Sequence, residues 1–185
     1  MSRDSRSRMV RSAAVLIRTH GVNATSLSEV VAKSGAPRGS IYHHFPHGKE
    51  QLAEDAVNWT KEWTLAYQRR CPARTPSEVL DWFVDLWRQV VVASGAAEGC
   101  AIVGVAVDST FNDERLLAAV RSAFDSCVEL LADQFRAAGI GADRARAVAV
   151  TVVAGLEGSV ILCRAERSVR PLEIVASELT RLVSV

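Results

Sequence analysis

Paired cysteines are missing from this chain of 185 residues. Cys71, Cys100, Cys127 and Cys163 stand singly, a spacing that excludes a zinc ribbon and a small disulfide-stapled secreted fold. They read as reduced thiols that pack as small hydrophobes. Histidine is absent beyond residue 50: His20, His43, His44 and His47 are all there are. The basic opening MSRDSRSRMVRSA is not followed by the apolar run of a signal peptide. No stretch offers the about 18 uninterrupted apolar residues of a membrane helix, because Glu157 and two glycines break the richest one, Ala147 to Leu162. The chain therefore reads as soluble and cytoplasmic, with no membrane partner. No run alternates apolar and polar residues as a half-buried strand would, and no internal repeat is visible. The expected fold class is all-α.

What is present is a core-forming composition with an uneven charge. Apolar residues make up 49% and charged residues 23%, enough apolar material to exclude a disordered chain. Residues 1–50 hold eight Lys/Arg against three acids, while the rest holds 14 against 18. Such a basic head suits a polyanionic partner, although a solvated basic face gives the same count.

Residues 1–8 read as a flexible basic arm, followed by a first helix from about Met9 to His20 that Gly21 stops. Ser26-Leu27-Ser28-Glu29 is a capping box that starts a second helix, ended by Gly35. Pro37 suits the first position of a third helix, and Pro46 limits that helix to about Phe45. A fourth helix opens at Lys49 and extends to about Arg70, with Leu52, Ala56, Trp59, Trp63 and Ala66 on one face. Thr75-Pro76-Ser77-Glu78 caps a fifth, running to about Ser94. A short apolar helix or helical turn follows from Cys100 to about Val107. Asn112 can cap a seventh helix ending before Gly139, and two more run from about Ala142 to Arg164 and Pro171 to Val183.

Two short helices joined by a glycine turn, here Ser34-Gly35-Ala36, form a helix-turn-helix whose second member enters the major groove. That member, PRGSIYHHF, is too short to be stable alone. Ile41 and Phe45 are expected to turn inward against Ala32 and Ile17, leaving Arg38, Ser40, Tyr42, His43 and His44 outward. Gly39 is a poor helix former, costing about 1 kcal/mol against alanine. Close approach to a phosphate or base edge would explain it, and so would core packing. His43 and His47 are four apart, but Pro46 interrupts the face they would share, so no metal site and no cofactor is expected.

The register from Ala13 to Leu52 resembles the N-terminal domain of TetR-type transcriptional regulators. The resemblance rests on Gly21, Thr25/Ser26, Ala32, Gly35, Gly39, the Ile41-Tyr42-His43-His44-Phe45 block, and Lys49 before Leu52. It implies a DNA-binding head at 1–50 and a helical ligand-binding and dimerisation body at 51–185. It also implies DNA contacts by Thr25, Ser26, Arg38, Gly39, Ser40, Tyr42, His43, His44 and Lys49. The run GAAEGCAIVGVAVDS resembles the LmrA/YxaF-type branch of the same family.

For the body, the resemblance implies a small-molecule effector between the middle helices and a homodimer through helices 8 and 9. Trp63, Tyr67, Trp82, Phe83, Trp87 and Phe111 supply aromatic walls for a flat or greasy ligand, though ordinary core packing would use the same residues. Glu157, between Gly155 and Gly158, needs a partner if buried; a ligand amine or hydroxyl, or an arginine across the dimer, would serve. Ala154, Gly155, Gly158 and Ser159 allow close helix approach. The expected function is a repressor that an effector releases from palindromic double-stranded operator DNA. A body that only dimerises or binds a protein is the alternative. An all-helical enzyme is disfavoured, since neither a carboxylate-histidine constellation nor a nucleophile motif appears.

Overall fold

The computed structural model describes residues 2–108 and 114–184. In order, α1 is Ser2–Ala24, α2 Leu27–Ser34, α3 Ser40–His44, α4 Gly48–Gln68 and α5 Pro76–Ala93. Then come α6 Ala101–Ala106, α7 Glu114–Ala137, α8 Ala142–Glu166 and α9 Arg170–Val183. No strand occurs among the described residues. The architecture is all-α, as the apolar periodicity requires.

Packing groups the chain into two compact units, Met1–Glu62 with Cys100–Phe124, and Trp63–Gly99 with Asp125–Val185. This division differs from a functional boundary at residue 50, because α6 packs on α1. In the first unit Met9, Ala13, Ile17, Val30, Ile41, Phe45, Leu52 and Ala56 form the core. Gly104 of α6 lies so close to α1 that an added Cβ would stand 3.0 Å from the Ile17 carbonyl oxygen. Ile102 and Val105 are buried on either side of it.

The start of the chain corrects one expectation. Of the arm expected at 1–8, residues 2–8 are helical, being the first turns of α1. Arg6 pairs with Asp55 of α4 at 2.5 Å and its guanidinium lies 5.4 Å from the Phe45 ring centre. Asp4 and Arg8 form an i,i+4 pair. These partners give the basic turns a reason to be ordered, and composition alone does not reveal them. Gly21 breaks α1 as expected, with φ +83°.

In the second unit Leu80, Phe83, Leu86, Leu131, Phe135, Val152, Leu156, Leu172 and Leu179 fill the core. The capping box of Thr75 and Glu78 starts α5. The Arg74 and Thr75 amides and the Thr75 hydroxyl hold the Glu78 carboxyl below its ordinary value. Arg88 grips Glu173 through two bonds of 2.7 and 3.0 Å, joining α5 to α9. Gly155 faces α9, its added Cβ meeting Leu179 and Val175 at 3.5 Å. Ser159 is buried and its hydroxyl donates to the Leu156 carbonyl. Ala154 and Gly158 point outward. The expected cap Asn112 lies outside the described residues.

By length and composition α8 is apolar enough to cross a membrane, and nearly half of its apolar window is buried inside the protein. The run read as too interrupted for a span therefore passes that test. Glu157 and the glycines interrupt it without lowering its average hydropathy much. A core helix of a globular protein passes the same test.

Candidate nucleic-acid interface

The second helix is set by its ends. Ser26 caps α2: its hydroxyl accepts from the Glu29 amide, and the Glu29 carboxylate accepts from the Ser26 amide at 2.8 Å. That amide, with the Ser26 hydroxyl, holds the Glu29 carboxyl below its ordinary value. Gly35 closes the helix in the left-handed conformation, φ +62°, which residues with a Cβ adopt only with strain.

The third helix is shorter than expected. Pro37, Arg38 and Gly39 are not its first turn but a turn before it, in which the Ser40 amide and hydroxyl both donate to the Pro37 carbonyl. Arg38 is thus presented from a turn, and it is exposed. Ile41 and Phe45 are 2% and 1% exposed and anchor the segment. Ala32, expected to back them, is itself exposed, and Arg6 of α1 lies over the Phe45 ring. Tyr42 is 70% exposed, His43 is exposed, and Ser40 and His44 are half-buried. The His43 and His44 rings meet edge-on at 5.2 Å. An added Cβ on Gly39 would meet nothing within 4 Å, and its φ of −74° suits any residue. Core packing therefore does not account for this glycine, which leaves close approach from outside.

Three expected contact residues are occupied within the chain. Thr25 is 4% exposed and donates its hydroxyl to the Gly21 carbonyl at 2.7 Å, so its side chain closes the α1–α2 corner and does not present itself to phosphate. Ser26 is exposed but its hydroxyl serves Glu29. Lys49 is half-buried and donates its Nζ to the Asn23 carbonyl at 2.8 Å. Asn23 is in turn bound by Asp108, whose carboxylate accepts from the Asn23 amide at 2.7 Å and from Nδ2. A knot of Asn23, Lys49 and Asp108 thus ties the α1 end to the segment after α6. Asp108 carried no signal at the sequence level beyond its place after an apolar run.

The body aromatics do not share one wall. Tyr67 and Trp82 stack at 5.0 Å, and Trp82 Nε1 donates to the Tyr67 carbonyl. The Tyr67 hydroxyl donates to Asp85, and burial, then the Asp85 charge, push the phenol up from its ordinary value. Trp82 borders an open surface groove of about 950 Å³ with Pro72, Arg74, Glu78, Asp81 and Arg88. Phe83 and Trp87 are instead buried in the core. Trp63 is 40% exposed and Glu157 is half-buried on α8. Phe111 lies outside the described residues. α5 separates the aromatics by its own periodicity, 82 and 83 being about 100° apart on the helix.

The inner side of α4 also departs from the expected apolar face. Trp63 and Ala66 are exposed, while Thr64 and Gln68 are 4% and 2% exposed. They continue the four-residue step of Leu52 and Ala56, a signal available in the sequence but masked by their polarity.

A short glycine-turned helix pair with an exposed Arg-Tyr-His surface, on an otherwise helical chain, defines a helix-turn-helix DNA-binding transcriptional regulator. Residues 10–56 match the family model of bacterial regulatory proteins, tetR family. Residues 76–178 match that of the transcriptional regulator LmrA/YxaF-like C-terminal domain. An uncharacterised HTH-type transcriptional regulator of Mycobacterium tuberculosis is 39% identical over 183 residues, covering 96% of this chain and 93% of the relative. The HTH-type transcriptional regulator LmrA of Bacillus subtilis is 30% identical over 176 residues, covering 94% of each. A TetR regulatory protein from Rhodobacter sphaeroides has the same fold, with TM-score 0.86, 18% identity and coverage of 95% and 96%. The chain belongs to the TetR family, in its LmrA/YxaF-like branch.

Proposed function

We propose that this regulator is a cytoplasmic repressor and not an enzyme, which binds palindromic operator DNA as a homodimer and leaves it when a small lipophilic or aromatic compound binds the body. The observation that carries the DNA half is the exposure of Arg38, Gly39, Tyr42 and His43 on a segment pinned from behind by Ile41 and Phe45. In this reading Arg38 meets a base edge or phosphate and the Gly39 backbone approaches the groove wall. Tyr42 and His44 meet phosphates, and Ser40 and His43 flank them. Ser26 and Lys49 keep their place in the interface through main chain and charge, and Thr25 acts only as a support.

For the dimer, Val150, Ile161 and Leu162 of α8 and Ile174 of α9 are exposed, and Ala154 and Gly158 lie between the α8 residues. An added Cβ on Gly158 would meet nothing within 4 Å, so its glycine serves no packing inside the chain. A two-fold partner would cover this face through a four-helix bundle and set two recognition segments on successive half-sites. Residues 1–50 then act as the DNA-binding head and 51–185 as the body. Within the body, Phe83 and Trp87, buried one turn apart on α5, are the aromatic residues that suit an enclosed effector.

Ligand response requires that the compound favour the conformation that does not fit DNA. The test is binding of the purified dimer to the promoter DNA flanking its own gene, with and without candidate lipophilic compounds. Retention of the complex against every compound would leave a regulator whose body only dimerises or binds a protein.

A further inference from the structure

Arg6 and Arg8, in the first turns of α1, are spent differently. Arg6 is taken up inside the chain, by Asp55 at 2.5 Å and by the Phe45 ring. The Nε of Arg8 faces Asp4 Oδ2 at 3.5 Å, and it is buried without a hydrogen-bond partner. The Arg8 side chain as a whole is 43% exposed, and that of Asp4 75%. Exposed ion pairs at this spacing hold weakly, so Asp4 commits the guanidinium only lightly.

That guanidinium lies against the turn between α2 and α3. A Cβ added to Gly35 would stand 3.8 Å from Arg8 Nη1. Gly35 in turn borders an open groove of about 850 Å³ whose lining also includes Arg38 and Tyr42. Arg8 therefore reaches from α1 to the side of the head that presents the reading segment, although it is far from that segment in sequence. Lys33, two residues before Gly35, is exposed as well. Glu29 also borders the groove, but its carboxylate is spent on the Ser26 amide and hydroxyl. An arginine kept only to close α2 would donate to the last carbonyls of that helix, whereas the ion pair of Arg8 among the described residues is with Asp4 of its own helix.

We infer that Arg8 is a DNA-binding residue, which exchanges Asp4 for a backbone phosphate of the operator next to the segment from Arg38 to His44. The inference rests on the reading of that segment as the operator reader, and it extends the interface to α1. A guanidinium offers a phosphate two parallel charge-assisted bonds, against one long approach to Asp4. Each DNA strand carries a charge every 3.4 Å or so of axis, about one per base, so a cation beside the reading turn has a phosphate within reach. Contacts of this kind set the register and orientation of the head and carry no sequence information. Asp4 serves as the holder that keeps the guanidinium over the turn in the free protein.

Anisotropy titrations of the full-length protein on labelled promoter DNA flanking its gene, at salt from about 50 to about 200 mM, test it. Arg8→Gln and Arg8→Met, the second keeping an apolar stem for packing, should both bind more weakly. Each should lower the slope of log affinity against log salt by about 0.9, the share of one phosphate contact. Over that range the gap between wild type and variant then narrows about threefold. Arg8→Lys keeps the charge and should keep the wild-type slope. The neutral variants should lose the same factor on the operator and on an unrelated duplex, with melting curves that move little. Wild-type affinity and slope in both neutral variants would overturn the inference. So would a weaker complex of unchanged slope beside a large fall in melting temperature, the mark of a structural arginine. If Arg38→Ala weakens the complex while the Arg8 variants do not, the inference falls and the reading of the Arg38–His44 segment stands. If the Arg8 variants lose slope while Arg38→Ala changes nothing, the inference stands and that reading falls.

Discussion

Replacing Gly39 by alanine separates a structural glycine from one kept for DNA. In the free protein the added methyl meets nothing within 4 Å, and φ −74°, ψ −16° is ordinary right-handed backbone. Alanine lowers the entropy of the unfolded chain, an effect of about 0.4–1 kcal/mol in favour of folding. Glycine is the better residue at a helix N-cap, which offsets part of that gain. The net change in stability should stay within about 0.5 kcal/mol, a melting shift of at most about 2 °C for a chain of this size. In the DNA complex the methyl would push the turn carrying Arg38 off the groove wall. Loss of one close contact, about 1.4 kcal/mol, is a tenfold weaker operator complex. Anisotropy titration with labelled promoter DNA, beside a thermal melt, reads both numbers. Unchanged affinity would refute the close-approach reading, and a large fall in melting temperature would show a packing role that the free structure does not contain.

Further outcomes follow from other contacts. Gly104→Ala would place a Cβ 3.0 Å from the Ile17 carbonyl oxygen and 3.3 Å from its Cγ2. Because the nearer atom is helix backbone, α6 must lift, and destabilisation of about 1–3 kcal/mol is expected; an unchanged melting curve would contradict that packing. Arg88 holds the Glu173 carboxyl below its ordinary value. The pair therefore contributes stability above the unfolded carboxyl value, which is lost as pH falls through the lower folded value. Both side chains are more than a third exposed, so solvent screening limits the effect to about 1 kcal/mol or less. Glu173→Gln should flatten the melting-temperature slope below about pH 4.5, and an unaltered slope would remove this pair from the account.

The elements were legible because their signals are local. Both capping boxes, at Ser26 and Thr75, the left-handed Gly35 and the break at Gly21 lie where the residues place them. So do the buried Ile41 and Phe45, whose four-residue spacing fixes one face of a short helix. What was hidden depends on partners distant in the chain. Arg6 orders the first turns of α1 through Asp55 and Phe45, contacts 49 residues and 39 residues away along the sequence. Thr25 is an exposed-type residue turned inward by a carbonyl, and Lys49 is held by Asn23. The inner face of α4 was misread for a related reason: Trp63 looks like core and Thr64 and Gln68 look like surface. Burial settles the matter against hydrophobicity, since Thr60, Thr64 and Gln68 are all buried. Neighbouring aromatic positions on α5 face different sides, Trp82 at the surface groove and Phe83 in the core.

The most direct measurement of the central claim is the salt dependence of binding to the flanking promoter DNA by the wild-type protein and by Arg38→Ala. The account predicts a wild-type complex that weakens steeply with salt, and a variant weaker by about 1–3 kcal/mol if Arg38 is bidentate to a guanine. If Arg38 instead meets only phosphate, the loss is uniform across sequences and the salt slope falls by about 1. Equal affinity and equal slope for the two proteins would contradict the assignment of the segment from Arg38 to His44 as the reader of the operator.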